Sequence, residues 1–392
     1  MEPFLPFFLI LLVAVVFSYL FMQMRIPWVV SLIIGGMLLG PNGFGVFEPT
    51  DTVEFLGTIG LVFLMFIAGL ESKFSDVKRL KKKIMIIAPM IGLLPALVGL
   101  GVGLGLGYEL ASSLLIGIIF MSSAIGMLVP IFQRQNIMRS ELVKTIIAST
   151  VIIDAVSLVL LSVFLQFIAG DGLSVMSLVL YPSILVLLGG LVWMLPKLKM
   201  LATKRVSKGE DLFENEMQFT VLVIIGLVVF FEFVGLHAIV AGFFGGMILA
   251  RSLENPLLKA KLHAVSYGFF IPVFFVSMGA NTDIGVFFEG YEALSVMAVI
   301  VAGLLASKFL GGWLGGKLSG FNEPSARLIG ASALPQLSTA LAVAFLGFGE
   351  GLLDQELLSA IVGLTIITSV LAPLAVSRFS EEVSAWNVRN RS

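Results

Sequence analysis

The chain has 392 residues, of which 58% are hydrophobic and 12% are charged, and its formal net charge at pH 7 is −1. Because a soluble domain carries about a quarter charged residues, this composition excludes a water-soluble globular protein. The absence of cysteine excludes disulfides and thiolate metal sites, and two histidines are too few for a histidine metal cluster.

Long apolar runs recur along the whole chain, and a helix needs roughly 20 apolar residues to cross a bilayer. The first run is long enough to persist as a helix instead of being cleaved as a signal peptide. The sequence predicts an all-α polytopic membrane protein with about 13 transmembrane helices. The predicted spans are residues 4–22, 27–41, 54–70, 84–107, 111–132, 142–169, 174–196, 216–235, 237–250, 264–280, 293–316, 325–348 and 354–377.

Positively charged residues predict the orientation of these spans, because cytoplasmic loops retain lysine and arginine. Of the 24 basic residues, all except Lys308 fall in alternate loops, and the densest run is Lys78–Lys83, a lipid-facing topogenic cluster. The opposite loops carry acids such as Glu109 and Asp171. We expect a multi-pass protein of the cell inner membrane, with its N-terminus outside and its C-terminus in the cytoplasm.

The two halves of the chain share short patterns at one offset. The matches are residues 35–39 (GGMLL) with 245–249 (GGMIL), residues 66–69 with 276–279, and Ser122 with Ser332, each 210 residues apart (245 − 35 = 210). The alternative explanation is that glycine-rich membrane helices resemble one another. The offset covers seven predicted spans, an odd number, so the halves are predicted to be inverted.

Inverted repeats are the architecture of secondary transporters, in which one bundle moves against another. The pattern therefore favours transport by a single transmembrane unit. Its predicted parts are a first repeat over residues 1–170, a linking helix and cytoplasmic loop over 171–215, a second repeat over 216–378 and a short cytoplasmic tail over 379–392.

Two charged residues lie in the middle of predicted spans, where charges are costly and usually functional or paired. They are Asp154 and Lys308, and Thr150 shares the helix face of Asp154, four residues earlier. A carboxylate with a hydroxyl is a hard-oxygen site, which suits a monovalent cation at Asp154 with Lys308 as charge partner. The alternatives are a structural salt bridge and a Lys308 side chain that snorkels to the interface.

Small, hydroxylated and proline-bearing segments interrupt two spans at corresponding positions. Ser122 and Ser123 lie in the fifth span, whereas Pro335, Gln336 and Ser338 lie in the twelfth. Such interruptions are expected where helices unwind and turn carbonyls and half-helix dipoles towards a substrate. We predict two broken helices at the binding site; ordinary helix packing by small residues is the alternative.

Segments along nearly the whole chain carry a family pattern. They are residues 25–41 (RIPWVVSLIIGGMLLGP), 63–71 (FLMFIAGLE), 121–124 (MSSA), the span around Asp154, 235–247 (GLHAIVAGFFGGM), 269–279 (FFIPVFFVSMG) and 308–321 (KFLGGWLGGKLSGF). In these segments the chain resembles the monovalent cation:proton antiporter superfamily, in its second branch, which includes bacterial sodium/proton and potassium/proton exchangers.

The resemblance implies a six-plus-six inverted repeat, a core domain with two crossed broken helices, a dimerisation domain and a homodimer. It makes Asp154 the essential ion-binding aspartate and Lys308 its membrane-embedded partner. Thr150 and the Ser122–Ser123 break fall at the cation-ligating positions of the family.

The chain departs from that pattern in two places. Ile153 stands where many relatives have a second polar residue, and residues 336–338 (QLS) stand where relatives often have arginine, glycine and glutamate. One carboxylate beside a permanently charged Lys308 predicts the exchange of one proton for one cation, which is electroneutral. If Lys308 also releases its proton, two protons exchange for one cation.

The leading hypothesis is a secondary active antiporter in which sodium, or else potassium or lithium, competes with protons for Asp154. A cation channel and a non-transporting cation sensor are the rival hypotheses. Glu71 is a candidate for an entry funnel, with a solvated interfacial acid as the simpler explanation. Neither an enzyme, a cofactor nor a nucleic-acid partner is expected, since no histidine lies mid-span and only one central acid is present.

Overall fold

The structure is a computed structural model that describes residues 4–23, 27–46, 48–71, 77–168, 212–233, 237–250, 256–283, 285 and 291–389. In this part of the chain every regular element is a helix, which confirms the predicted all-α fold. The helices are α1 (Phe4–Gln23), α2 (Trp28–Leu39), α3 (Asp51–Glu71), α4 (Val77–Gly105), α5 (Leu110–Met121), α6 (Val129–Arg134), α7 (Glu141–Gln166), α8 (Leu212–Phe233), α9 (Ala238–Leu249), α10 (Pro256–Val265), α11 (Ile271–Ala280), α12 (Tyr291–Leu318), α13 (Glu323–Ser332), α14 (Ser338–Gly349) and α15 (Gln355–Arg389).

Seven of the described helical segments are long and apolar enough to cross a membrane on their own. One of them joins α10 to α11 through a π-helical turn at Ser266–Phe270. Pro272 accounts for this turn, because proline has no N–H to bond residue 268 and its ring crowds that carbonyl. The predicted span over residues 174–196 lies outside the described residues.

Two predicted spans are interrupted where the sequence places their breaks. Residues 122–128 separate α5 from α6, and residues 333–337 separate α13 from α14. The interrupted segments cross, since the N–H of Ala124 donates to the carbonyl oxygen of Pro335 at 2.7 Å. The prediction of two crossed broken helices is therefore confirmed.

The chain forms two compact units. The larger comprises the described residues within Met1–Thr50, Phe74–Ser157 and Phe275–Ser392, and the smaller those within Asp51–Lys73 and Leu158–Phe274. Each unit therefore contains helices from both halves of the sequence.

Glycines allow one close helix pair in the larger unit. A Cβ on Gly36 of α2 would collide with the carbonyl oxygen of Val276 on α11, and one on Gly279 of α11 would collide with that of Ile33 on α2. The two backbones therefore touch, and only glycine fits at either position.

The smaller unit contains the counterpart of this pair. A Cβ on Gly246 of α9 would collide with the carbonyl oxygen of Phe66 on α3, and one on Gly69 of α3 would collide with that of Phe243 on α9. Gly36 and Gly246 are 210 positions apart, as are Ile33 and Phe243, and also Gly69 and Gly279. The two sets of contacts therefore follow the offset of the sequence repeat.

Charged residues gather at one end of the larger unit. Lys83 Nζ lies 2.7 Å from Glu141 Oε1 and 4.2 Å from the ring centre of Phe321, so the starts of α4 and α7 meet the end of α12. Lys317 Nζ lies 2.9 Å from Glu323 Oε2, and hydrogen bonding, foremost from Lys317, lowers the pKa of Glu323 to about 2. Both carboxylates are thus already paired with a base. That this charged end of the larger unit faces the cytoplasm stays a prediction.

We expect Gly279→Ala to lower the melting temperature of the purified protein, since the added methyl group must push α2 away from α11. Overpacking of this kind costs about 1–3 kcal/mol. Gly226→Ala on α8 is the matched control, because its Cβ would meet nothing within 4 Å and alanine is the better helix former. Equal melting temperatures for the two variants in a detergent unfolding scan would contradict the packing described here.

Candidate functional site

Asp154 lies midway along α7, and its side chain is partly exposed. Its Oδ1 accepts a hydrogen bond from the backbone N–H of Ser123 at 3.0 Å. That N–H is free because α5 ends at Met121 and the chain continues in an extended conformation at Ser122 (φ −68°, ψ 163°). The break in α5 therefore places a backbone donor against the carboxylate.

Lys308, on α12, is fully buried. Its Nζ donates to the carbonyl oxygens of Ile91 (2.9 Å), Met121 (2.8 Å) and Ser122 (2.7 Å), and to Ser123 Oγ (2.9 Å). An ammonium group has three N–H donors, so these four oxygens occupy all of them. The side chain does not snorkel to the interface.

The Lys308 ammonium neutralises the C-terminal end of α5, where carbonyl oxygens carry partial negative charge. Within the described residues none of its hydrogen bonds goes to Asp154, although the two groups interact electrostatically. Ser123 stands between them, since its N–H binds Asp154 and its Oγ binds Lys308. The predicted charge partner therefore acts through a serine instead of a direct ion pair.

Gln336 fastens the second break to the first. Its Nε2 donates to the carbonyl oxygen of Ser122 at 2.6 Å, and its Oε1 accepts from Ser122 Oγ at 2.8 Å. Ser123 Oγ donates to the carbonyl oxygen of Ala333 at 2.9 Å. The N–H of Gln336 donates in turn to Thr368 Oγ1 on α15, at 3.2 Å. The crossing is thus a buried polar network that joins the two breaks to each other and to α15.

The hydroxyl of Thr150 is one of several buried hydroxyls without a hydrogen-bond partner among the described residues, and that of Ser149 is another. Thr150 lies one helical turn before Asp154 and is buried. Thr145 on the same helix bonds the carbonyl of Glu141 instead, as helical threonines commonly do. A buried hydroxyl without a partner is costly, so Thr150 points to a ligand or a water.

The other predicted site residues fall in different places. Pro335 is buried at the crossing, and Ser338 is the partly exposed first residue of α14, at the positive end of that helix. Glu71 ends α3 in the smaller unit, where its Oε1 lies 3.7 Å from Nε2 of His263. Its role in a funnel stays a prediction.

Sequence reasoning did not identify Ile91 or Thr368 as parts of the site. Each offered a signal. The carbonyl of Ile91 is left free because Pro95, four residues later in α4, has no N–H, and Thr368 belongs to a polar group in an apolar span (Thr365, Thr368, Ser369). The departure at Ile153 has a packing explanation. Its buried side chain fills the space where a Cβ on Gly92 of α4 would stand.

Comparison with known proteins gives consistent matches over the length of the chain. The profile of the family described as "Sodium/hydrogen exchanger, transmembrane" matches residues 8–382. The "Probable Na(+)/H(+) antiporter 3" of Methanocaldococcus jannaschii is 29% identical over 377 residues, which cover 94% of this chain and 95% of that protein. The "Na(+)/H(+)-K(+) antiporter GerN" of Bacillus cereus is 25% identical over 376 residues, which cover 95% of each.

A solved structure shares the fold. The sodium proton antiporter MjNhaP1 from Methanocaldococcus jannaschii, at pH 8, superposes with a TM-score of 0.68 and 19% sequence identity, covering 97% of this chain and 100% of that one. These matches establish the family and the fold. Because they are of mixed kinds, they do not decide which branch of the family the chain belongs to.

We expect Gln336→Leu to destabilise the larger unit, because it removes both hydrogen bonds between the second break and Ser122, whose hydroxyl keeps only its 3.1 Å bond to the carbonyl oxygen of Ile119. Each hydrogen bond contributes about 0.5–1.5 kcal/mol to stability. Gln355→Leu is the control, since Gln355 is partly exposed and makes one bond, to the carbonyl oxygen of Asn281. A melting temperature that falls no further for Gln336→Leu than for Gln355→Leu would argue against the network.

Proposed function

The chain belongs to the sodium/hydrogen exchanger family, a family of transporters and not of enzymes, and we propose that it exchanges sodium ions for protons across the membrane. In this proposal Asp154 holds the cation and the proton in turn, and alternating access delivers each to the opposite side. The antiport activity named for both relatives supports exchange over a channel or a sensor.

The observation that carries the proposal is the setting of Asp154 at the crossing of two broken helices. Ser123 N–H occupies Oδ1 from one side, and the free Thr150 hydroxyl lies one turn away. The carboxylate keeps further lone pairs for a cation or a proton. Protonation removes the negative charge that attracts the cation, so the two ligands exclude each other.

The hydrogen bonds of Lys308 support a one-for-one exchange. Three of its four oxygen partners are backbone carbonyls at fixed positions, and they all favour the charged ammonium. A lysine that stays charged leaves Asp154 as the single group that trades a proton for a cation. The proposed cycle therefore moves no net charge.

Potassium is the second candidate cation. The relative from Bacillus cereus carries both sodium and potassium in its name, and a carboxylate with a hydroxyl accepts either ion. Second-branch membership, a homodimer and a cytoplasmic C-terminus belong to the same proposal.

We expect Asp154→Asn to abolish cation-driven proton movement in proteoliposomes with an internal pH dye, because an amide can neither carry the proton nor balance a cation. Asp51→Asn, at the exposed start of α3, is the matched control and keeps full activity. Current recorded on a solid-supported membrane should be absent for the wild type. Net sodium flux without an opposite movement of protons, or activity in Asp154→Asn, would refute the exchange mechanism, whereas a steady current would refute its stoichiometry alone.

We expect Thr150→Val to raise the apparent KM for sodium by roughly 5- to 30-fold, the effect of one lost ligand of about 1–2 kcal/mol. Thr145→Val, on the same helix but bonded to Glu141, leaves the KM unchanged. In the wild type the KM rises as the pH falls, by up to about tenfold per pH unit while protons compete for the carboxylate. A KM independent of pH would rule out competition at one site.

A further inference from the structure

The outward face of α4 is apolar and ends in lysines that have no acidic partner among the described residues. Met85, Leu93 and Leu97 are exposed at helical spacing, and Met85 and Leu97 are 65% and 69% exposed. Lys82 lies one turn before Met85 on the same face, with Lys81 beside it, and both lysines are exposed. In a membrane protein such a face touches lipid tails, and its basic end meets the headgroups.

Helix α12 packs beside α4 and extends this apolar face. A Cβ on Gly311 would collide with the carbonyl oxygen of Met90, and one on Gly303 would meet Val102, so α12 runs antiparallel to α4. Its own exposed residues include Leu314 and Leu318, the latter 63% exposed. At 3.6 residues per turn the exposed rows of the two helices fall on the same side of their contact. Together they form an apolar groove, the α4–α12 groove, that ends near Lys82.

The charges at this end of the groove are unbalanced. Of the acids described there, Glu141 and Glu323 are paired with Lys83 and Lys317, and Glu382 lies 3.8 Å from Arg327. Lys81 and Lys82 form no ion pair with any described residue. Two exposed positive charges thus lie at the mouth of an apolar groove. A ligand that fits both features is an anion with a long apolar part.

We propose that the α4–α12 groove binds an anionic phospholipid, with the headgroup phosphate at Lys81 and Lys82 and an acyl chain along the exposed leucines. The row from Met85 to Leu97 spans about 18 Å at 1.5 Å per residue, which matches the roughly 15 Å of one hydrocarbon leaflet. Basic residues at the cytoplasmic surface attract the anionic lipids of that leaflet.

Such a lipid stabilises the helix pair that holds the buried ammonium. Lys308 belongs to α12, and the carbonyl of Ile91 that accepts its hydrogen bond belongs to α4. A molecule that lies against both helices therefore favours their native contact, and the larger unit becomes more resistant to unfolding. Binding at this surface is independent of whether the chain transports ions.

The test uses the purified full chain in detergent with dioleoylphosphatidylglycerol as the anionic probe and dioleoylphosphatidylcholine as the neutral one. Binding is measured by native mass spectrometry and by the shift in melting temperature. The wild type should bind the anionic lipid more tightly and gain more stability from it. The double variant Lys81→Gln/Lys82→Gln should bind the anionic lipid at least about tenfold more weakly. It should also lose the extra rise in melting temperature that this lipid gives the wild type.

Two further variants separate the groove from general charge and from misfolding. Lys81→Arg/Lys82→Arg keeps the charges and should keep the anionic preference. Arg134→Gln/Arg139→Gln removes two exposed positive charges elsewhere in the larger unit and should also keep it. Three results would overturn the proposal: equal binding of both lipids by the wild type, unchanged binding of the anionic lipid by Lys81→Gln/Lys82→Gln, or an equal loss of that binding in Arg134→Gln/Arg139→Gln.

Discussion

The buried ammonium of Lys308 is the constraint on which the larger unit depends. An isolated charge in an apolar interior is prohibitively costly, so the segments packed around the ammonium must supply oxygen atoms that accept its hydrogen bonds. Four oxygens do so, and three belong to the backbone. The carbonyls of Met121 and Ser122 are available because α5 stops at Met121, and that of Ile91 is available because Pro95, four residues later in α4, has no N–H. The break in the helix and the charge in the membrane therefore each require the other.

The same break links the charge to the proposed ion site. Ser122 and Ser123 together contact Asp154 on α7, Lys308 on α12 and Gln336 in the second break. A change in the charge of the carboxylate is felt first by the N–H of Ser123, and Ser123 is also a ligand of the ammonium. Two adjacent serines thus connect the carboxylate of Asp154 to α12 and to the second break, which in the proposed mechanism is a short physical route from ion occupancy to helix position.

Much of this arrangement is visible in the sequence, because its signals are local. Apolar length reveals the spans, lone charges reveal Asp154 and Lys308, and small polar residues reveal both breaks. The carbonyl partners of Lys308 are not visible, since tertiary packing decides which free carbonyls meet the ammonium. The substitution of Gln336 for the family's usual residues was detectable as a departure, but its bonds to Ser122 depend on a contact between residues 214 positions apart.

Matched glycine contacts have a consequence for how the chain is assembled. The α2–α11 and α3–α9 pairs each combine one helix from the first half of the sequence with one from the second. During synthesis, α2 and α3 enter the membrane long before the surfaces that receive them exist. The α3–α9 contact cannot form until α9 has emerged from the ribosome, and the α2–α11 contact cannot form until residues near 280 have done so. Until then α2 and α3 stay in the bilayer without these contacts, with their glycine faces exposed to lipid and to other helices.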